Sequence, residues 1–238
     1  MESLRGLGIV GRFDAVTMSQ TRKQSFTCPH CQRKQDFNVW ETVNVTEEPK
    51  LKAQLLKREL GKFACENCAG PVWVKHPIHY HDVAAKLMIW LAEGENPKPP
   101  LEEGSSVMGL MASTGYIFRR VNSYNELLEK IRCFDDRQDD RAVEALKVAV
   151  RAERKLPPDQ ALLYSGVTAK EGGKKAVRLT GLAKKSKISY EIAAEELIRH
   201  GNLMSRTVGP EDESRKWLCV DEKFAADRLK SSAGKAAM

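Results

Sequence analysis

Two matched Cys-x-x-Cys pairs, period-2 segments around each pair, and helix-period runs from Tyr124 onward predict an α+β chain of two domains. The pairs are Cys28-Pro29-His30-Cys31 and Cys65-Glu66-Asn67-Cys68. Two intervening residues let both sulfurs of a pair face one metal from a tight turn, and two such turns complete a tetrahedron. The expected cofactor is one zinc ion per chain, held by Cys28, Cys31, Cys65 and Cys68. Four protein ligands leave no open position, so this zinc is expected to hold structure and not to activate water.

Each element follows from local pattern. Residues 1–24 read as a flexible extension, with Met18 as an internal start that sets 1–17 apart. Ser25–Cys31 is a short strand feeding the first knuckle. Asp36–Val45 alternates, with Phe37, Val39, Val43 and Val45 on one face and Trp40 opposite. Pro49 opens a helix carrying Leu51, Leu55, Leu56 and Leu60, closed by Gly61. Phe63–Cys65 leads into the second knuckle and Pro71–Tyr80 returns extended. The expected architecture is thus a zinc ribbon, β hairpins with a helix inserted between the cysteine pairs. Asp82 caps a helix to about Glu93, Gly94–Ser106 is a proline-punctuated loop, and Tyr116–Val121 is a strand. Ser123-Tyr124-Asn125-Glu126 is a capping box opening a helix with Leu127, Leu128, Ile131 and Phe134 on one face. A second helix spans Asp140 to Arg154.

Lys155-Leu156-Pro157-Pro158-Asp159 breaks that helix and sets the predicted boundary between a 25–155 domain and a small basic α+β domain over 159–230. In the latter, Ala161–Val167 and Ala176–Thr180 make a hairpin around Gly172-Gly173. Tyr190–His200 is a helix ending at Gly201. Leu203–Val208 and Trp217–Val220 make a second hairpin. A helix from Asp221 to about Lys230 precedes a disordered tail over 231–238.

At 238 residues and 42% hydrophobic content the chain can bury a core, while 30% charged residues and negative mean hydropathy exclude a membrane-spanning protein. Leu7–Val10 is too short for a signal core. The remaining cysteines, Cys133 and Cys219, stand alone and read as small buried hydrophobes; with zinc-type spacing they point to a reducing compartment, the cytoplasm. Cys-Pro-His-Cys also suits thiol redox chemistry, but that needs a helix start directly after the pair, and here polar residues and a strand follow.

Charge is uneven. Lys170, Lys174, Lys175, Arg178, Lys184, Lys185 and Lys187 against the single Glu171 leave +6 of the chain's +7 in one stretch. Such a stretch can track a phosphate backbone, meet an acidic protein partner, or solvate a hairpin edge. His79 and His81 share a strand face and so form a candidate metal pair, although hydrogen-bonded surface or interface roles for His76, His79 and His81 are the plainer reading. Asp135, Asp136, Asp139 and Asp140 with Glu144 form an acidic knot that can bind magnesium or act as an acid–base pair, while helix capping and salt bridges with Arg137 and Arg141 explain it as well. No phosphate loop, Rossmann glycine fingerprint, Gly-x-Ser-x-Gly elbow or His-Glu-x-x-His motif occurs.

Several separated blocks occur in order: the first cysteine pair, the strand with Trp40, Pro49 with Leu51 and Leu55, the second pair, Tyr80-His81-Asp82, Glu129-Lys130-Ile131-Arg132, and Phe134-Asp135-Asp136 with Asp139-Asp140-Arg141. Together they resemble the prokaryotic CpXC family. The resemblance covers roughly residues 25–150. The second pair departs from it, with Glu66 where the family tends to carry Pro, a change that removes turn stiffness but no ligand. The resemblance implies the fold and the metal, and no reaction. The expected function is a non-catalytic zinc-binding adaptor or regulatory subunit docking on protein subunits of a larger complex. The alternatives are nucleic-acid binding through the Lys-rich hairpin and, third, a metal-dependent enzyme using the aspartate knot.

Overall fold

The computed structural model describes residues 18–94, 97–182, 187–206 and 215–236, with the backbone alone over 232–236. The chain divides into two compact units. One takes the described residues up to Tyr124 and collects 215–217 later; the other takes the remaining described residues from Asn125 onward. Both mix helix and strand, the α+β class that the sequence predicts.

The first unit runs β1 (Gln20–Thr27), β2 (Lys34–Asn44), α1 (Pro49–Leu56), β3 (Lys62–Ala64), β4 (Pro71–Trp73), β5 (Ile78–Asp82), β6 (Leu87–Leu91), α2 (Ser106–Ser113) and β7 (Ile117–Val121). Five strands form a mixed sheet in the order β1-β2-β5-β6-β7, and β3 and β4 form a separate hairpin. β1–β2 and β5–β6 are antiparallel, β2–β5 and β6–β7 parallel. Parallel neighbours need a crossover. Between β2 and β5 that crossover holds α1 and the β3–β4 hairpin, so the second cysteine pair is delivered from the excursion between two sheet strands. β1 begins at Gln20, ahead of the predicted Ser25, because Gln20–Thr27 pairs along β2 from Thr42 to Lys34.

Pro49 stands at the start of α1, and Leu51 and Leu55 face inward. The helix stops short of the predicted Gly61: Arg58 turns left-handed at φ 62°, and the Glu59 amide reaches back to Gln54 O at 2.9 Å. Gly61 serves close packing instead, since a Cβ there would lie 3.3 Å from the Trp73 ring.

The predicted Asp82–Glu93 helix is a strand. Asp82 does accept an amide, that of Ala85 at 3.0 Å, but the bond closes a hairpin turn in which Asp82 pairs with Leu87. All five residues of β6 are buried. A continuous apolar run suits an interior strand covered on both faces as well as it suits a buried helix, and periodicity does not separate the two. α2, which has no counterpart in the sequence prediction, is capped by Ser105 accepting from the Met108 amide. Its Met108 joins Met88, Trp90, Phe118 and Trp217 in one cluster. Trp217 meets Trp90 and Phe118 edge-on at 6.0 and 5.5 Å, and its Nε1 donates to Leu101 O at 2.9 Å.

The second unit contains α3 (Tyr124–Asp135), α4 (Asp140–Glu153), β8 (Ala161–Ala169), β9 (Lys175–Leu182), β10 (Lys187–Ala193), α5 (Ala194–Ser205) and α6 (Glu222–Ala236), with an antiparallel sheet ordered β10-β9-β8. Val143, Leu146, Leu162, Tyr164, Val177 and Leu179 are among its core residues. The predicted β8–β9 hairpin is present. The predicted helix over Tyr190–His200 is half strand: Tyr190 and Ile192 alternate onto the core from β10, and the helix begins at Ala194. Gly201 does not end α5. It allows close approach, a Cβ there lying 3.5 Å from Ala142 Cβ. Leu203 is helical, so the proposed strand does not start there, and residues 207–214 of that hairpin lie outside the described residues. Asp221 caps α6 by accepting the Phe224 amide at 2.7 Å, and the helix runs on to Ala236, past Lys230. Among the described residues no helix is long and apolar enough to cross a membrane.

Candidate metal centre

Each cysteine pair is the turn of an antiparallel hairpin, the first between Thr27 and Lys34 and the second between Ala64 and Pro71. The turns repeat one backbone plan. The Cys28 amide donates to Arg33 O and the Gln32 amide returns to Cys28 O; the Cys65 amide donates to Gly70 O and the Ala69 amide returns to Cys65 O. Gln32 and Ala69, each directly after a second cysteine, take left-handed φ of 58° and 54°. That reversal closes the loop and leaves both sulfurs of each pair on its inner side.

The two turns face each other. Cys28 Sγ lies 3.8 Å from Cys68 Sγ and Cys31 Sγ 3.6 Å from Cys65 Sγ, and all four sulfurs lie within 4.8 Å of one another. Four thiolates around one tetrahedral ion with metal–sulfur bonds of about 2.3 Å stand about 3.8 Å apart. The sulfurs are therefore spaced to hold one metal ion, and the soft thiolate set suits zinc or iron. Among the described residues no other His, Cys, Asp or Glu group is so spaced.

Cys28 and Cys65 are buried, Cys31 is half-buried and Cys68 exposed. Phe37, Val39, Val72 and Val74 floor the site, with Phe37 and Phe63 rings 4.8 Å apart. Polar groups brace it from outside. Gln35 Nε2 donates to Cys65 Sγ at 2.9 Å while its Oε1 accepts the Glu66 amide; Arg33 donates to Asn67 Oδ1; the His30 ring bonds Pro71 O at 3.1 Å. A Cβ on Gly70 would come within 2.7 Å of that ring, so only glycine fits between the knuckles.

Without a cation the thiols ionise unevenly. The Cys68 amide and the Gln35 side chain lower Cys65 to about 6, and the Arg33 amide with Asn67 lowers Cys31. Cys68 receives the Gly70 amide, but the neighbouring thiols and burial outweigh it and push Cys68 up to about 12. Four thiolates this close repel one another, and a divalent cation is what lets all four ionise together. The helix start needed for thiol redox chemistry is absent, since β2 follows Cys31.

The other candidates do not gather into a site. His76 and His81 are buried, not surface groups: His76 bonds Val74 O and Trp40 O, and His81 Nε2 lies 3.1 Å from Tyr116 Oη. Burial lowers His79 to about 4. In the aspartate knot, Asp139 caps α4 through the Arg141 amide and pairs with the Arg141 side chain, Asp136 accepts from Tyr164 Oη, and Asp140 turns inward to Lys130. Of the basic stretch, Lys174, Lys175 and Lys187 are exposed, Lys170 is paired with Glu191, Arg178 is half-buried, and Lys184 and Lys185 lie outside the described residues. Cys133 is buried in the core, with its thiol pushed well up by burial; Cys219 is half-buried and raised to about 11 by burial and Asp221.

Sequence reasoning missed a second charged feature. Glu129 and Lys130 of α3, with Asp140, Glu144 and Lys147 of α4, are each no more than 3% exposed. Lys130 Nζ lies 2.8 Å from Glu144 and 3.4 Å from Asp140; Lys147 Nζ lies 2.7 Å from Glu129 and 3.0 Å from Glu144. The signal was there: Glu129 and Lys130 interrupt the inward positions Leu127, Leu128 and Ile131.

A scan of family models matches residues 26–147 to the family described as CpXC protein. None of the curated proteins and none of the solved structures matches the chain.

Proposed function

The chain belongs to the CpXC family, and on that premise we propose that it is a non-catalytic, zinc-binding adaptor or regulatory subunit that docks on protein subunits of a larger assembly. The observation that carries this reading is the closed donor set. Four cysteines at tetrahedral spacing use every position of a zinc ion, so the metal stiffens the two knuckles and offers no site to water or substrate. Zinc is favoured over iron because no redox chemistry is needed to hold two hairpins together. All six cysteines are free, which supports a reducing compartment such as the cytoplasm. The docking step is an argument by analogy, since rigid knuckles commonly present binding loops. A native mass spectrum of the protein purified gently from its host tests it: one zinc per chain with stoichiometric protein companions supports the adaptor, and a metal-free folded chain overturns the zinc.

A second reading, nucleic-acid binding, rests on the exposed Lys174 and Lys175 at the β8–β9 turn with Lys187 at the start of β10. It expects binding that weakens steeply with salt and weakens again when Lys174, Lys175, Lys184 and Lys185 become Ala. Salt-independent binding, or none, removes this reading.

A further inference from the structure

Where α4 gives way to the turn after it and meets the start of α6, the second unit carries a groove of about 570 Å³. Val148, Ala152, Leu156, Pro158 and Ala226 supply its apolar lining, and Val148, Leu156 and Ala226 are only half-buried. Its charged lining is three cations, Arg151, Lys155 and Lys223, against one carboxylate, Glu222. Arg151 and Glu222 cancel, because the guanidinium donates to both carboxylate oxygens at 2.6 Å. Arg151 also donates to Pro157 O at 2.5 Å and to Gln160 O at 3.0 Å. One side chain thus ties α4, the turn and α6 together and shapes the groove before any ligand arrives. Lys155 and Lys223 differ from it. Both are exposed, and no carboxylate engages either ammonium among the described residues.

We propose that this groove docks an acidic peptide segment of a protein partner, its apolar side chains lying on Val148, Leu156 and Ala226 and its carboxylates meeting Lys155 and Lys223. Charge sets the sign of the partner, since what the Arg151–Glu222 pair leaves over is positive. The apolar lining sets its class. A small anion or a phosphate chain makes no use of that lining, and no aromatic ring stands in the groove to stack a base. Size suits a short segment of a few residues, the volume falling in the roughly 300–1,000 Å³ range of ligand clefts. The inference gives the adaptor reading a docking surface and a partner chemistry. It rests on that reading only for there being a protein partner, and the zinc plays no part in it.

The test is fluorescence anisotropy on the full, zinc-loaded chain with a labelled peptide of alternating Asp and Leu as probe. A peptide of alternating Lys and Leu and a labelled oligouridylate serve as controls. Saturable binding of the acidic peptide and none of either control is expected. Lys155→Glu combined with Lys223→Glu is expected to weaken binding at least about tenfold, the scale of reversing two exposed charges. Ala152→Trp, at an exposed helical position, is expected to fold and to abolish binding by filling the groove. Binding that survives both variants, a preference for the basic peptide or the RNA, or no binding of the acidic peptide overturns the proposal. Acidic-peptide binding by a chain that purifies without protein companions upholds the groove and removes the adaptor. Companions retained in the native mass spectrum by the Lys155→Glu, Lys223→Glu chain do the reverse.

Discussion

Cys28 and Cys65 have no solvent to turn to, whereas Cys31 and Cys68 reach the surface, and this asymmetry decides what each is worth. Cys28→Ser or Cys65→Ser is expected to release the metal and unfold the knuckle hairpins, because metal binding at such a site is folding free energy. Metal content and circular dichroism read the outcome. Cys68→Ser is expected to leave a folded chain that yields its metal faster to a chelator. His79 makes a separate prediction. Burial holds it at about 4, below its ordinary 6.5, so the unfolded chain binds the proton first. Stability from this residue is complete above pH 6.5 and drains away as pH falls toward 4, by up to about 3 kcal/mol. His79→Gln is expected to flatten the fall in melting temperature across that window. The four cysteines were legible because chelation spacing is local. The burial of His76 and His81 was not, because β2 and β7, which flank β5 and β6 in the sheet, come from distant parts of the chain.

At the scale of elements, strands announced by alternation or by hairpin turns were read correctly, as in β2, β8 and β9, while elements whose character depends on their neighbours were not. β6 is apolar throughout, and only its place between β5 and β7 makes it a strand. Asp82 was read as a helix cap for the same reason, since one side-chain acceptor closes a helix start or a turn equally well. The α3–α4 pair carries the clearest mutational prediction. Lys130→Met leaves Asp140 without its lysine partner and deprives Glu144 of one of two, both carboxylates being buried. Breaking a buried pair from one side costs about 3–5 kcal/mol. Urea denaturation of the variant is expected to show a loss of that size, with metal content unchanged.

For the whole molecule, composition and charge spoke more coarsely than the fold required. The +6 stretch read as a single basic surface, yet Lys170 is tied to Glu191 and Arg178 is half-buried. Helices α3 and α4, whose patterns adjoin the cysteine region in sequence, bury Cys133, Val143 and Leu146 against β8 and β9. A helix face states that it is apolar and does not name what covers it. Trp217 was read from local pattern as the start of a hairpin strand, and nothing local pointed to the cluster it joins. Removing it by Trp217→Ala is expected to cost about 3–5 kcal/mol, measured by thermal unfolding, and to leave the metal content unchanged.

Trp217 also imposes an order in time. The cluster it joins is otherwise built from residues 88–118, yet the indole arrives only after the whole β8–β9–β10 sheet and α5 have been made. On the ribosome, the cysteine knuckles can therefore close and take up metal early, while Met88, Trp90 and Phe118 wait with an open slot. The first unit can therefore stand unsealed during synthesis, and it is completed only once the β8–β9–β10 sheet and α5 have been made.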